Sequence, residues 1–383
     1  MKLLSLVLTL IGTALLSQAL SAKLEGTFIG TIGTSPVVSV FGTRDALFEH
    51  SYYYRKFGQD IELEQTEQNG KIVLTEYGAF PERLKRATLT GRLESGKFSG
   101  TYTLMAGGKA LPVNLKRVSS VDLTSRFNNP QLEDWKKNNP YTFLKFDRPL
   151  ESGLFVRNSS GTGKMRAVKG KLGNWAYSWL TEPKSKISLP RLEGTQFNRV
   201  NLTLEAHQLE VAAQVLECNV SEPTNSFEYT PKLILTNTKL VSVHAAVYLY
   251  CGGAHPTSYS DFLTLEVESG KRLELEDLYR FVPIPLGVNL QTLEPFEKWE
   301  TYASAREKVL EKLIYAQRPD LKKNSECYGN ETGLEAWKSL SWWLSPQGLV
   351  LESNFPHVAA ACTEAVTLPY SVLERYKVSK LLP

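Results

Sequence analysis

Val241-Ser242-Val243-His244-Ala245-Ala246-Val247-Tyr248-Leu249-Tyr250-Cys251-Gly252-Gly253-Ala254-His255-Pro256 is an alternating apolar run that ends in a cysteine, two glycines and a His-Pro. Period-two alternation makes a half-buried strand. Val241, Val243, Ala245, Val247 and Leu249 share one face, and Ser242, His244, Tyr248 and Tyr250 share the other. The glycines admit positive φ or a close backbone approach, and Pro256 pushes His255 into an extended conformation. The stretch therefore predicts a fixed, sharp loop at a strand end, where a polar side chain is presented. Downstream, Phe262 to Val267 predicts a second strand and Ser269-Gly270 a turn. Leu273 to Leu275 then leads into Glu276 and Asp277 at a helix start, where the helix dipole accounts for the acids.

Residues 191–383 read as α/β throughout. Further strands are predicted at Val200 to Glu205 and Leu233 to Leu235, and a helix at Glu294 to Gln317. Tyr302, Ala305, Val309, Leu313 and Ala316 form that helix's apolar stripe. Trp342-Trp343-Leu344 and Leu349-Val350-Leu351 flank Ser345-Pro346-Gln347-Gly348 as a hairpin. A strand at Ala365 to Leu368 runs into Pro369 and a helix from Tyr370 to Tyr376.

Residues 23–118 read as an antiparallel β meander. Ile61 and Leu63 alternate with Glu62 and Glu64, and Asn69-Gly70 and Gly107-Gly108 mark turns. Tyr52-Tyr53-Tyr54 would alternate across a strand, chiefly for packing, with a glycan- or anion-facing side as the second reading. Residues 119–190 read as a connecting region punctuated by Asn128-Asn129-Pro130 and Asn138-Asn139-Pro140. Its polar loop Asn158 to Lys164 lacks the glycine and hydroxyl positions of a phosphate-cradling loop. The expected fold class is α+β, with an N-terminal β-meander domain and a C-terminal disulfide-stapled α/β domain.

Met1-Lys2, an apolar run from Leu3 to Leu16, and small residues at Ala19 and Ala22 predict a signal peptide over residues 1–22. No later run is long and apolar enough to span a bilayer, so a periplasmic or secreted protein without a transmembrane anchor is expected. Cys218, Cys251, Cys327 and Cys362 are an even set in the C-terminal half, and export favours disulfides. Four cysteines allow three pairings. Chain order suggests Cys218–Cys251 and Cys327–Cys362, each closing a loop of about 35 residues worth about 3–4 kcal/mol. No C-x-x-C pair points to zinc, and no metal or cofactor is expected. Residues 1–190 hold 26 Lys+Arg against 16 Asp+Glu, and residues 191–383 hold 18 against 24. A front half at +10 and a back half at −6 favour different partners. The basic residues are dispersed, which together with export argues against nucleic acid.

His255 is the best candidate for chemistry, with Tyr259 and Asp261 downstream and His244 on the preceding strand. A hydrolase reading would make His255 a general base oriented by Asp261. No G-x-S-x-G elbow and no H-E-x-x-H accompanies it, so a histidine that caps and fixes the loop is favoured. Gly252, Gly253, His255, Pro256 and Tyr259 then read as a binding surface. His50, His207 and His357 are scattered and receive no role.

The run Cys251 to Pro256, with Thr264 to Lys271 and Leu273 to Leu278, resembles the GGAH signature and following hairpin of the RsiV-like family, domain of unknown function 3298. Trp342 to Leu349, Pro356-His357 and Leu368-Pro369-Tyr370 are similar to that family's closing segment. The resemblance covers residues 191–376, about half the chain. Members include an anti-sigma factor whose extracellular domain binds lysozyme and a domain attached to cell-wall deacetylases. The resemblance thus implies a non-catalytic α/β envelope module that binds a lysozyme-like wall-active protein, and the exported, loop-bearing, charge-split chain adds peptidoglycan glycan as a second ligand. The alternatives are a wall-modifying hydrolase using His255 and Asp261, or a structural envelope module.

Overall fold

Short strands with polar and apolar residues in alternation, joined by tight turns, can bury one face only by closing or stacking. In the computed structural model the N-terminal strands close. The structure describes residues 24–42, 49–68, 70–78, 84–157, 163–166, 169–218, 226–251, 255–285, 295–329 and 335–382. The expected signal peptide, Gly252, Gly253, and residues 158–162 of the polar loop lie outside the described residues.

Strands β1 (Gly26–Ile32), β2 (Ser35–Phe41), β3 (His50–Tyr54), β4 (Ile61–Gln68), β5 (Lys71–Tyr77), β6 (Lys85–Glu94), β7 (Lys97–Leu104) and β8 (Leu111–Arg117) pair antiparallel in chain order. β8 returns to β1, with Leu115 opposite Gly30, so the expected meander is a closed up-and-down barrel. Phe28, Phe41, Leu63, Leu74, Phe98 and Val113 fill its interior. Gly91 and Gly100 face each other across β6 and β7. A Cβ on either would lie 2.4 or 2.2 Å from a backbone oxygen, so only glycine permits this close approach. Tyr52 points inward and donates to Glu76 at 2.9 Å, while Tyr53 points outward and packs against Tyr141 with the rings tilted. Both rings are buried and serve packing.

Residues 119–190 hold more regular structure than a connecting region requires. Each Asn-Pro pair starts a helical turn. Asn129 accepts from the Gln131 N–H at 3.0 Å and Asn139 from the Thr142 N–H at 3.1 Å, with proline at the first helical position. Beyond these lie β9 (Glu151–Ser152), β10 (Leu154–Arg157), β11 (Gly163–Arg166), β12 (Lys169–Leu172), β13 (Trp175–Thr181) and β14 (Ser188–Leu192). β10 and β11 form a hairpin, and the other four form one sheet. Tyr141 and Lys145 seat this region on the barrel. The Lys145 ammonium, fully buried, lies 2.8 Å from Asp60, and the Tyr141 hydroxyl donates to Asp60 at 2.6 Å.

The back half packs the helix Asn198–Glu217 on an antiparallel sheet of β15 (Ser226–Thr236), β16 (Leu240–Tyr250) and β17 (Thr257–Glu266). The predicted strand Val200 to Glu205 is the first part of this helix. Val200 and Leu204, one turn apart, pack on Val241, Val243, Leu263 and Leu265. A six-residue apolar alternation was too short to separate the two periods. A second meander, β18 (Ser341–Ser345), β19 (Gly348–Glu352) and β20 (Ala365–Pro369), shares a core with the helix Phe296–Gln317. That helix buries Ala303, Arg306, Leu310, Leu313 and Ile314, whereas Ala305 and Ala316 of the predicted stripe are exposed. An ion pair turns the helix. Arg306 and Tyr302 both donate to Glu276, at 2.6 and 2.8 Å, so Glu276, in the first turn of the Leu275–Leu278 helix as expected, is also a buried ion-pair partner.

The disulfides are Cys218–Cys251 and Cys327–Cys362, the pairing that chain order suggests. No helix among the described residues is long and apolar enough to cross a membrane.

Candidate functional site

The helix covers one face of the three-stranded sheet along its length, and the opposite face is covered near Leu240 but open at Ala246 and Tyr248. Near Leu240 its helix face is buried under the 198–217 helix, and on the opposite face Trp343 lies over His244 with ring centroids 4.2 Å apart. At the other end, Cys218–Cys251 ties the helix C-terminus to the first residue beyond β16. The chain re-enters the sheet at His255-Pro256, just before β17. His255 is exposed, with Nδ1 3.4 Å from the Pro256 carbonyl.

Register places the aromatic residues around this corner. Tyr259 lies opposite Val247, on the helix face, and Tyr248 lies opposite Ser258 and Glu228, on the other face. Tyr248 is 38% exposed and Tyr259 41%, high for side chains of this size in a paired sheet. The covalent tie fixes the end of β16, which carries Tyr248.

Asp261 does not meet His255. It lies four residues into β17 from Thr257, about 13 Å along an extended strand. On the helix face its carboxylate stands 2.7 Å from His207 Nε2 and accepts the Tyr229 hydroxyl at 2.8 Å. Glu210, one turn along the helix, places an oxygen 3.7 Å from His207 Nδ1. Burial works against an imidazolium here, but the hydrogen bonds to Asp261 and Glu210 outweigh it and hold the His207 pKa above its ordinary value. Burial likewise works against the Asp261 carboxylate, and the bonds from His207 and Tyr229 with the Arg272 charge hold its pKa below the usual range. Below the raised His207 pKa the two groups form an ion pair that clips the helix to the sheet.

On the opposite face, His244 Nε2 lies 2.9 Å from the Ser260 hydroxyl. Burial, then the Lys232 charge, lower the His244 pKa, so the ring is neutral near pH 7. Glu352, raised by burial, is hydrogen-bonded to Ser260. Nucleophile activation places imidazole between hydroxyl and carboxylate. Here the serine stands between the histidine and the acid, an order suited to fixing side chains. Among the described residues, no three His, Cys, Asp or Glu side chains stand together as a metal site.

No family model matches this chain, and no curated protein does. Solved structures similar to it include a DUF3298 family protein from Pseudomonas aeruginosa PAO1, at 20% identity and a TM-score of 0.31. That likeness covers 62% of this chain and 99% of the other. A member of the same family from Bacteroides fragilis NCTC 9343 shows 13% identity, a TM-score of 0.33, and coverage of 60% and 91%. These neighbours are proteins of the family whose motifs the back half resembles. The likeness brings neither a ligand nor an activity to this chain.

Proposed function

We propose that this chain is a non-catalytic binding protein of the periplasm or exterior, whose disulfide-tied sheet end takes a cationic wall-active protein of the lysozyme type. The supporting observation is the sheet end itself: Tyr248 on its open face, Tyr259 on the helix face and His255 between the two strands are all exposed, and Cys218–Cys251 ties the end of β16 to the helix. Rigid tyrosines supply contact area at small entropic cost, which is how binding surfaces are commonly built. The −6 balance of residues 191–383, with Glu228 opposite Tyr248 and Glu210 beside His207, favours a basic partner over an acidic one. The two disulfides suit an oxidising compartment. Asp261 is engaged by His207 and Tyr229, which weighs against a hydrolase that uses it to orient His255.

Calorimetry of the purified chain against a C-type lysozyme tests the proposal. Binding that weakens as salt rises, and that Tyr248→Ala with Tyr259→Ala abolishes at unchanged melting temperature, is expected. No heat of binding at low salt, or turnover of muropeptides by the chain alone, would refute it.

A further inference from the structure

One end of the barrel carries a second, unrelated surface. Of the eleven large apolar side chains exposed among the described residues, four stand on neighbouring segments at this end. They are Leu84 (67%), Leu104 (47%), Met105 (56%) and Leu111 (37%). Their proximity follows from the register. Ala87 pairs with Leu104, the Met105 N–H donates to the Arg86 carbonyl at 2.8 Å, and Leu111 lies opposite Tyr102.

The connection between β7 and β8 stands clear of the barrel. Gly107 and Gly108 have φ of +89° and +133°, and no atom lies within 4 Å of where a Cβ on either would sit. Lys85 and Lys109 are exposed beside the apolar side chains, and residues 104–111 contain no acid. Exposed leucine and methionine at a protruding tip, flanked by lysines, match the layering of an anionic bilayer surface. Apolar groups enter the acyl boundary, and cations remain at the headgroups. Lysines without a neighbouring acid in the 104–111 connection favour an anionic surface over a basic protein partner.

We infer that this end of the barrel docks peripherally on anionic lipid membranes through Leu84, Leu104, Met105 and Leu111, with Lys85 and Lys109 at the headgroups. The inference is independent of the reading of the back half. Co-sedimentation of the full chain with phosphatidylglycerol-containing vesicles, and with purely zwitterionic ones, tests it. The chain should sediment with the anionic vesicles, less so as salt rises, and only weakly with the zwitterionic ones. Leu84→Glu with Met105→Glu should weaken binding at least about tenfold, since two buried apolar side chains are lost. These positions are exposed, so circular dichroism should show the variant folded. Lys85→Gln with Lys109→Gln should weaken anionic-vesicle binding and leave the zwitterionic background unchanged. No sedimentation with anionic vesicles, or unchanged sedimentation of the glutamate variant, overturns the inference. So does lipid-free dimerisation that the glutamate variant abolishes, because a second copy would then cover the tip.

Discussion

Replacing Asp261 by asparagine separates a structural clip from a catalytic dyad. The Asp261 side chain is 16% exposed and accepts two hydrogen bonds, from His207 at 2.7 Å and from Tyr229 at 2.8 Å. A bond to a charged group is worth about 1.5–3 kcal/mol and a neutral one about 0.5–1.5 kcal/mol. Asparagine keeps at best two neutral bonds, so Asp261→Asn should cost about 2–3 kcal/mol in urea unfolding near pH 5.5. The pH dependence has a definite sign. His207 has a raised folded pKa, so its contribution is full below the unfolded value of about 6.5 and is lost as pH rises through the folded value. Asp261 has a depressed folded pKa, so its contribution is full above about 3.9 and is lost as pH falls through the folded value. The deficit of the variant should therefore be largest between about pH 4 and 6.5 and should shrink toward pH 9. A deficit below about 0.5 kcal/mol at pH 5.5, typical of an ordinary surface change, would refute the clip, as would one that grows with pH.

Further outcomes follow from other contacts. Lys145→Ala leaves Asp60 buried without its cation and should cost about 3–5 kcal/mol, seen as a lower melting temperature and faster proteolysis between the barrel and residues 119–190. Cys218→Ser with Cys251→Ser removes a tie across 33 residues and should cost about 4 kcal/mol in non-reducing denaturation. Glu307 has its pKa pushed up to about 7, first by burial and then by Glu311, and one of its oxygens has no hydrogen-bond partner. Its raised pKa favours the folded state at low pH and is lost as pH rises through about 7. Glu307→Gln should accordingly stabilise the chain by about 1–2 kcal/mol at pH 8 and hardly at all at pH 5, measured by thermal melts at both values.

Much of this architecture is legible in the residues, where local chemistry is strong. Turn glycines and alternation define the N-terminal strands, and chain order of the cysteines anticipates both disulfides. Closure of the barrel is not legible, because β8 meets β1 through a pairing that spans some eighty residues and leaves no local signal. The 200–205 error arose where Val200, Leu202 and Leu204 fit either period, and the tertiary contacts of Val200 and Leu204 decided it. The strand-glycine-His-Pro pattern singles out His255, Pro256 and Tyr259, and the structure shows His255 and Tyr259 exposed at that sheet end. His207 was not, since its partner lies 54 residues away on another element. Its one local signal was Glu210 three residues on, which counts only once that segment is read as a helix. The same blindness hid Arg306, whose charge argued for solvent until Glu276 was placed beside it.

Hydrogen exchange of the chain, free and saturated with lysozyme, addresses the binding proposal most directly. Slowed exchange confined to residues 244–262 and the Cys218 end of the helix is the expected result. Protection that falls instead on the barrel, or no protection anywhere at saturating lysozyme, would contradict the assignment of the Tyr248–Tyr259 corner as the contact surface.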